Sequence, residues 1–576
     1  MSGIDWIVLI FTLLGIIAYG LYKGRSSKDL DGYFLSNRMM PWYLVLLSIM
    51  GTQASAVTFL SAPGQAFTDG MRFVQYYFGL PLAMVVLCIT FVPLFSRLKV
   101  YTAYEFLEQR FDVRTRTFTS FLFLLQRGLS TGISIYAPSI ILSSLLGWDI
   151  FSTNILMGGL LIIYTVSGGA KAVAYTQQLQ LIIIFAGMFM AGYMVVHLLP
   201  AHIGFSDVLH LTGASGKLDV ITTGTKNGSF DLSDKYNIWS GMIGGFFLAL
   251  SYFGTDQSQV GRYLTAKNTT ESKIGLLMNG LVKVPMQFLI LLIGALLFTF
   301  YQLMPAPVFY NRSVEDKAMQ TSYKDSLVVI KTSFEEANAR QAFLNETYLK
   351  EHHKHNPALI AIAKDNVNTN AKEISKIRGN YRDVIKKAVP KEDSNDTNYI
   401  FLRFVIDYMP VGLVGLLIAI IFLAAWGSIA AALNSLASCT MVDIYKRFYE
   451  KKEGLMKEEI DKMEYKLSQR YTLAWGVFCI VIAQFANRMG SLIEAVNILG
   501  SLFYGVILGI FLVAFYAKKV KGKAVFWSAV FAEVIIILLF ILNQSEIIKL
   551  SFLWLNAVGA LLVFFISIVV QRLIKR

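Results

Sequence analysis

The chain has 576 residues, 55% of them apolar, 14% aromatic and only 16% charged. A soluble protein of this size carries about a quarter charged residues, so the composition describes a polytopic membrane protein. The net charge of +14 does not indicate a nucleic-acid binder, because the basic residues gather in short loops between apolar segments, where they report topology.

An apolar span near 5–22 opens the chain, followed by Lys23, Arg25 and Lys28 with no small-residue cleavage site, and reads as a retained helix with its N-terminus outside. Further spans are expected near 42–67, 73–96, 117–147, 151–168, 176–199, 237–256, 274–303, 400–438, 471–487, 490–517, 525–543 and 550–572, about 13 in all at about 20 residues each. An odd count places the C-terminus inside. Every connection assigned to the inside is basic: Arg97 to Arg116, Arg262 to Lys273, Lys446 to Lys466, Lys518 to Lys523 and Arg572 to Arg576.

Two connections assigned to the outside are long. Residues 200–236 are mostly polar with Gly-rich patches, and 304–399 hold a charged, helix-prone insert around Glu335 to Lys391, read as a solvated pair of amphipathic helices or as a lid or docking element. Cys88, Cys439 and Cys479 lie in or beside apolar segments without metal or disulfide spacing. The absence of a P-loop leaves ATP-driven transport unsupported, and no HExxH, nucleophile elbow or paired carboxylates in one span point to an enzyme.

The stretch Ile49 to Gly64 departs from a plain lipid-facing helix. Gly51, Thr52, Ser55, Thr58 and Ser61 precede Pro63-Gly64, a pattern expected where a helix packs closely or opens around a solute.

Several stretches together resemble the sodium/solute symporter family of sodium-glucose, proline, sialic-acid, iodide and vitamin transporters. They are Gly32-Tyr33-Phe34-Leu35 with Pro41-Trp42, Ser55 to Gly64, Tyr101 to Phe111, Tyr164 to Ala172 with Gly168-Gly169, Asp256 to Leu264, and Leu433-Asn434-Ser435 leading to Asp443-Ile444-Tyr445-Lys446. The resemblance implies an all-α LeuT-type 5+5 inverted-repeat core, with repeats at 42–199 and 237–517. Residues 1–41 and 518–576 would lie outside that core, and the first helix of each repeat would be broken around substrate and ion.

The resemblance also implies a sodium ion between the first and eighth core helices, held by Gly51 and Ala54 on one side and Ala424, Gly427 and Ser428 on the other. Two positions depart from the family: Gly427 stands where many members have a second serine, and Gln177, after Tyr175-Thr176, where they have an aspartate. Ala430 and Ala431 replace the serines of a further sodium site, which is not expected here.

For substrate, the resemblance points to Ser55 and Thr58 on the first helix, Gln75 and Tyr77 on the second, an inner-gate Tyr252, and Glu494 and Asn497 where sugar transporters place paired glutamines. Lys283 matches a lysine of the sugar branch, or forms an ion pair. Arg127 lies about ten residues into its span, hence about 15 Å deep, where an ionised group needs a cavity or partner. It reads as an anion clamp, a fixed cation near the sodium site, or half of a structural ion pair with Glu494 a possible partner. Ser130 occupies the position of the sialic-acid transporters' arginine. Ile135-Tyr136-Ala137-Pro138 resembles the iodide, monocarboxylate and vitamin branch.

The expected activity is sodium-coupled uptake of a small polar or anionic solute, whether sugar, carboxylate or sialic-acid-like, across the cell membrane. A sodium-independent or proton-coupled carrier and a transporter-like sensor are the alternatives.

Overall fold

The computed structural model describes residues 1–24, 34–226, 228–449, 457–486, 489 and 491–574. Arg25, Lys28, Gly32, Tyr33, residues 450–456 of the basic connection and the last two residues lie outside these, and with them part of the charge pattern and of the first motif. Helices dominate the described residues, whose one sheet is a two-residue ladder of Thr225–Lys226 against Ser229–Phe230.

The first helix, α1 (Gly3–Gly24), is followed by a broken span, α2 (Trp42–Gln53) and α3 (Ala56–Asp69), bent by 60°. Next come α4 (Val113–Leu146) and α5 (Ile150–His197). Gly147 at φ +66 ends α4, and the Asp149 carboxylate accepts the Phe151 and Ser152 N–H groups to start α5, so the turn is written into four residues. The second half opens with α6 (Gly245–Thr255) and α7 (Gln257–Tyr263), then α8 (Thr269–Leu303). The insert is an antiparallel pair, α9 (Lys324–His353) and α10 (Pro357–Ala388), and α11 (Leu413–Cys439) and α12 (Leu492–Tyr516) complete the packed centre.

Among the described residues, nine helices are long and apolar enough to cross a membrane, with the bent pair α2/α3 as a tenth crossing. Four expected spans take other forms. Residues 151–168 and 176–199 run together in α5, which contains no proline to divide it. A π-turn at Ser240–Gly244 interrupts 237–256, and 471–487 largely continues a helix, Lys457–Ala483, whose first half is charged. The expected helix at 400–438 is divided at Pro410 and Gly412 (φ +89), where the Asp5 carboxylate of α1 accepts the Gly412 and Gly415 N–H groups at 2.6 and 3.3 Å. Pro cannot continue the ladder and Gly alone takes that φ without strain.

Three of the sequence motifs meet at one end of the bundle. Ala103 N–H donates to Gln257 Oε1 (3.0 Å), Gln257 Nε2 to the Tyr101 carbonyl (2.7 Å), and Tyr104 OH to the Thr255 carbonyl (2.8 Å). Thr102 and Arg116 both donate to the fully buried Asp443, the guanidinium through Nε (2.8 Å) and Nη2 (2.7 Å). Stretches far apart in sequence therefore form one polar clasp beneath the α6/α7 break.

Pro63-Gly64 lies inside α3 rather than at its break, and its small residues serve close packing. A Cβ on Gly64 would stand 2.0 Å from the Thr397 carbonyl oxygen, where the insert returns to the core, and one on Gly294 of α8 would stand 2.1 Å from the Pro63 carbonyl. Neither backbone can move aside independently. Gly64→Ala is expected to cost about 3 kcal/mol of stability, read as an earlier thermal melt of the purified protein in detergent.

Candidate functional site

The α2/α3 break frees backbone carbonyls at midspan. Ser55 N–H donates to Gln53 O (3.0 Å) and Thr58 N–H to Ser55 O (2.9 Å), so the carbonyls of Gly51 and Ala54 lose the donors an unbroken helix would supply. Facing them on α11, Ser428 Oγ donates to the Ala424 and Ala425 carbonyls at 3.0 and 3.1 Å, which leaves its oxygen lone pairs available. Ala430 and Ala431 present only buried methyl groups.

Gln177 of α5 fills the space between these two faces. Its Nε2 donates to the Gly427 carbonyl (3.0 Å) and Thr52 Oγ1 (3.3 Å), while its Oε1 accepts from Ser48 Oγ (2.9 Å). The carboxamide's orientation follows from its partners, because a carbonyl oxygen only accepts. A Cβ on Gly51 would lie 2.9 Å from Gln177 Cβ and Cγ, and one on Gly427 would lie 2.6 Å from Gln180 Oε1 and 3.3 Å from Gln177 Cγ. The side chains of Gln177 and Gln180 both pack against the face that Gly427 leaves without a Cβ. As folded, an N–H donor points at the carbonyl expected to face the ion.

Beside this cradle lies a cavity of about 110 Å³ lined by both halves of the molecule. Of the residues expected at the substrate, Ser55, Thr58, Tyr77, Arg127, Tyr252 and Asn497 line it. Gln75, Ser130 and Glu494 do not. Gln75 is fully buried and holds the 200–236 connection through the Tyr236 carbonyl (3.0 Å), Thr222 Oγ1 (3.1 Å) and Thr222 N–H (3.1 Å). Ser130 Oγ accepts from Gln126 Nε2 (3.0 Å) on its own helix, and Glu494 pairs with Lys235 at 2.5 Å. Lys283 is buried with its ammonium 5.8 Å above the Tyr77 ring and forms no ion pair among the described residues.

Arg127 is paired with Asp256 rather than with Glu494. Asp256 occupies the α6/α7 break at ψ 116, caps α7 through the Ser258 N–H (2.8 Å), and also accepts from Tyr504 OH (2.7 Å). The Arg127 guanidinium lies 5.4 Å from the Tyr252 ring centre. A carboxylate with no exposure holds a helix terminus, and the arginine neutralises it at the cavity wall.

Gln53, Tyr76, Gln126 and Tyr504 also line the cavity and were missed by sequence reasoning, as was the role of Asp256. Tyr76 OH donates to Asn497 Oδ1 at 3.2 Å. Gln53 and Gln126 carried a usable signal, since polar amides deep in apolar spans are costly without a function.

A broken span, α2/α3, beside a polar cavity lined by both halves of the molecule is the arrangement of a membrane solute carrier. The model of the sodium:solute symporter family matches residues 33–324 and 376–532, and the chain belongs to that family. A sodium/sialic acid symporter, SiaT of Proteus mirabilis (strain HI4320), is 25% identical over 91% of this chain and 86% of its own length. The human sodium/iodide cotransporter is 30% identical over 48% of this chain and 42% of its own. A solved structure of a Na+-coupled sialic acid symporter, 23% identical, shares the fold with a TM-score of 0.74 over 99% of this chain and 98% of that one. The protein is a multi-pass membrane transporter and not an enzyme.

Proposed function

We propose that the protein imports a small anionic or polar organic solute across the cell membrane, driven by sodium moving inward, through alternating access of two inverted five-helix repeats at 42–199 and 237–517. In this reading 1–41 and 518–576 flank the core, 200–236 and 304–399 lie outside, and about 13 crossings place the N-terminus outside and the C-terminus inside. Sodium sits between Gly51 and Ala54 and the α11 residues Ala424, Gly427 and Ser428, once Gln177 has turned away from the Gly427 carbonyl.

The observation that carries the solute assignment is a set of buried polar atoms at the cavity without partners: Gln53 Oε1, Gln126 Oε1, Arg127 Nε and Asn497 Nδ2. Orphaned buried polar groups are rare and cost about 1–3 kcal/mol each. Two acceptors and two donors, one of them on a guanidinium, suit a solute with hydroxyls and a carboxylate. Relatives named for sialic acid, iodide and monocarboxylates favour an anion.

Uptake into proteoliposomes of sialic acid, short monocarboxylates and neutral sugars tests this. Saturable uptake of an anion is expected; uptake of neutral sugars alone would remove the anion assignment. A sodium-independent carrier is the second reading, favoured by the Gln177 amide that already occupies the cation cradle.

A further inference from the structure

A second cavity, of about 760 Å³, lies between the insert and the core at the far end of α3. Its charged lining is one-sided: Lys217, Lys364, Lys372, Arg378 and Arg382 face a single carboxylate, Asp396. Arg378 already satisfies that carboxylate at 2.9 Å and donates to the Val308 carbonyl at 3.1 Å, so it builds the wall. Lys364, Lys372 and Arg382 form no ion pair or hydrogen bond among the described residues.

The acids of α10 are kept off the cavity face, while its bases lie both on that face and, at Lys376, Lys386 and Lys387, off it. Positions 364, 368, 371, 375, 378 and 382 all line the cavity, and their spacing of four and three marks one stripe of a helix. The acids of α10, Asp365, Glu373 and Asp383, fall on its other faces, and Glu373 is engaged by Arg340 of α9 at 3.3 Å. A helix whose charges served solubility alone would mix signs around its circumference. The opposite wall is aromatic, with Phe298, Tyr301 and Tyr310. Lys217 is held there, its ammonium 4.6 Å above the Phe298 ring. The family model passes over residues 325–375, and the stripe begins within that interval.

We propose that this cavity is a binding site for an organic carboxylate with an apolar or aromatic body, its carboxylate against Lys372 and Arg382 and its body on the aromatic wall. The site is separate from the central cavity and does not depend on which solute that cavity carries. Neutralising two unpartnered cations removes the attraction without disturbing an internal contact.

The test is calorimetric titration of the full-length protein in lipid nanodiscs with benzoate and with inorganic phosphate. Lys372→Gln/Arg382→Gln is expected to weaken benzoate binding by about tenfold or more, and Lys372→Arg/Arg382→Lys to hold it within about twofold. Benzoate affinity unchanged by the double glutamine variant would overturn the site. Phosphate binding as tightly as benzoate would overturn the assignment to an organic carboxylate.

Discussion

Arg127→Ala is expected to lower the stability of the protein by about 3–5 kcal/mol, because it leaves the fully buried Asp256 carboxylate without its counter-charge. Asp256→Asn is expected to do comparable damage from the other side, leaving a guanidinium 12% exposed in a membrane-embedded wall. The double variant removes both charges and is expected to recover about 2–3 kcal/mol of the summed loss. Melting of the four proteins gives the coupling. Strictly additive losses would show that the two groups do not act as a unit.

Transport separates what stability alone leaves joined. If Arg127 serves only the α7 cap, the double variant carries solute. If its free Nε also holds an anionic substrate, the folded fraction of the double variant carries no anion. The second outcome is expected here, since the guanidinium lines the cavity as well as its wall.

Gln177→Glu is expected to create a sodium requirement for stability. The substitution keeps the shape but turns an N–H donor 3.0 Å from the Gly427 carbonyl into an oxygen, so two acceptors face each other. Without a cation the ionised side chain costs about 3 kcal/mol; sodium at about 100 times its dissociation constant returns about 2.7 kcal/mol. The variant should therefore melt early in choline chloride and recover in sodium chloride at pH 8. The wild type, with a neutral amide in place, should respond much less. An equal response of both proteins to the two salts would show that residue 177 does not adjoin the ion.

Much of the fold was legible in the chain. Apolar spans and basic loops gave most of the helices, and small and hydroxylated residues between Ile49 and Gly64 marked the broken span. The break itself falls at Gln53 to Ser55, ahead of Pro63, because a proline within a helix is tolerated where neighbours satisfy the freed carbonyl. The division before α11 was missed although Pro410 and Gly412 mark it in the sequence; its cap, Asp5, sits more than 400 residues away.

The site was less legible for the same reason. The family resemblance pointed to Ser55, Thr58, Tyr252 and Asn497, which line the cavity, but Gln75 and Glu494 face the 200–236 connection, and only the packing of that connection decides this. Asp256 was read as part of a motif; its pairing with Arg127 spans 129 residues. Gly427 and Gln177 were read as two separate losses. The structure brings them into contact across α5 and α11, with the Gln177 amide donating to the Gly427 carbonyl.

The most direct measurement is accumulation against a gradient. Proteoliposomes preloaded with the solute at the external concentration are given an inward sodium gradient, with an equal potassium gradient as control. Sodium-coupled symport through this cavity drives the internal solute above the external concentration, and the rise collapses when monensin dissipates the gradient. Internal solute that stays at the external level under both cations would contradict sodium coupling.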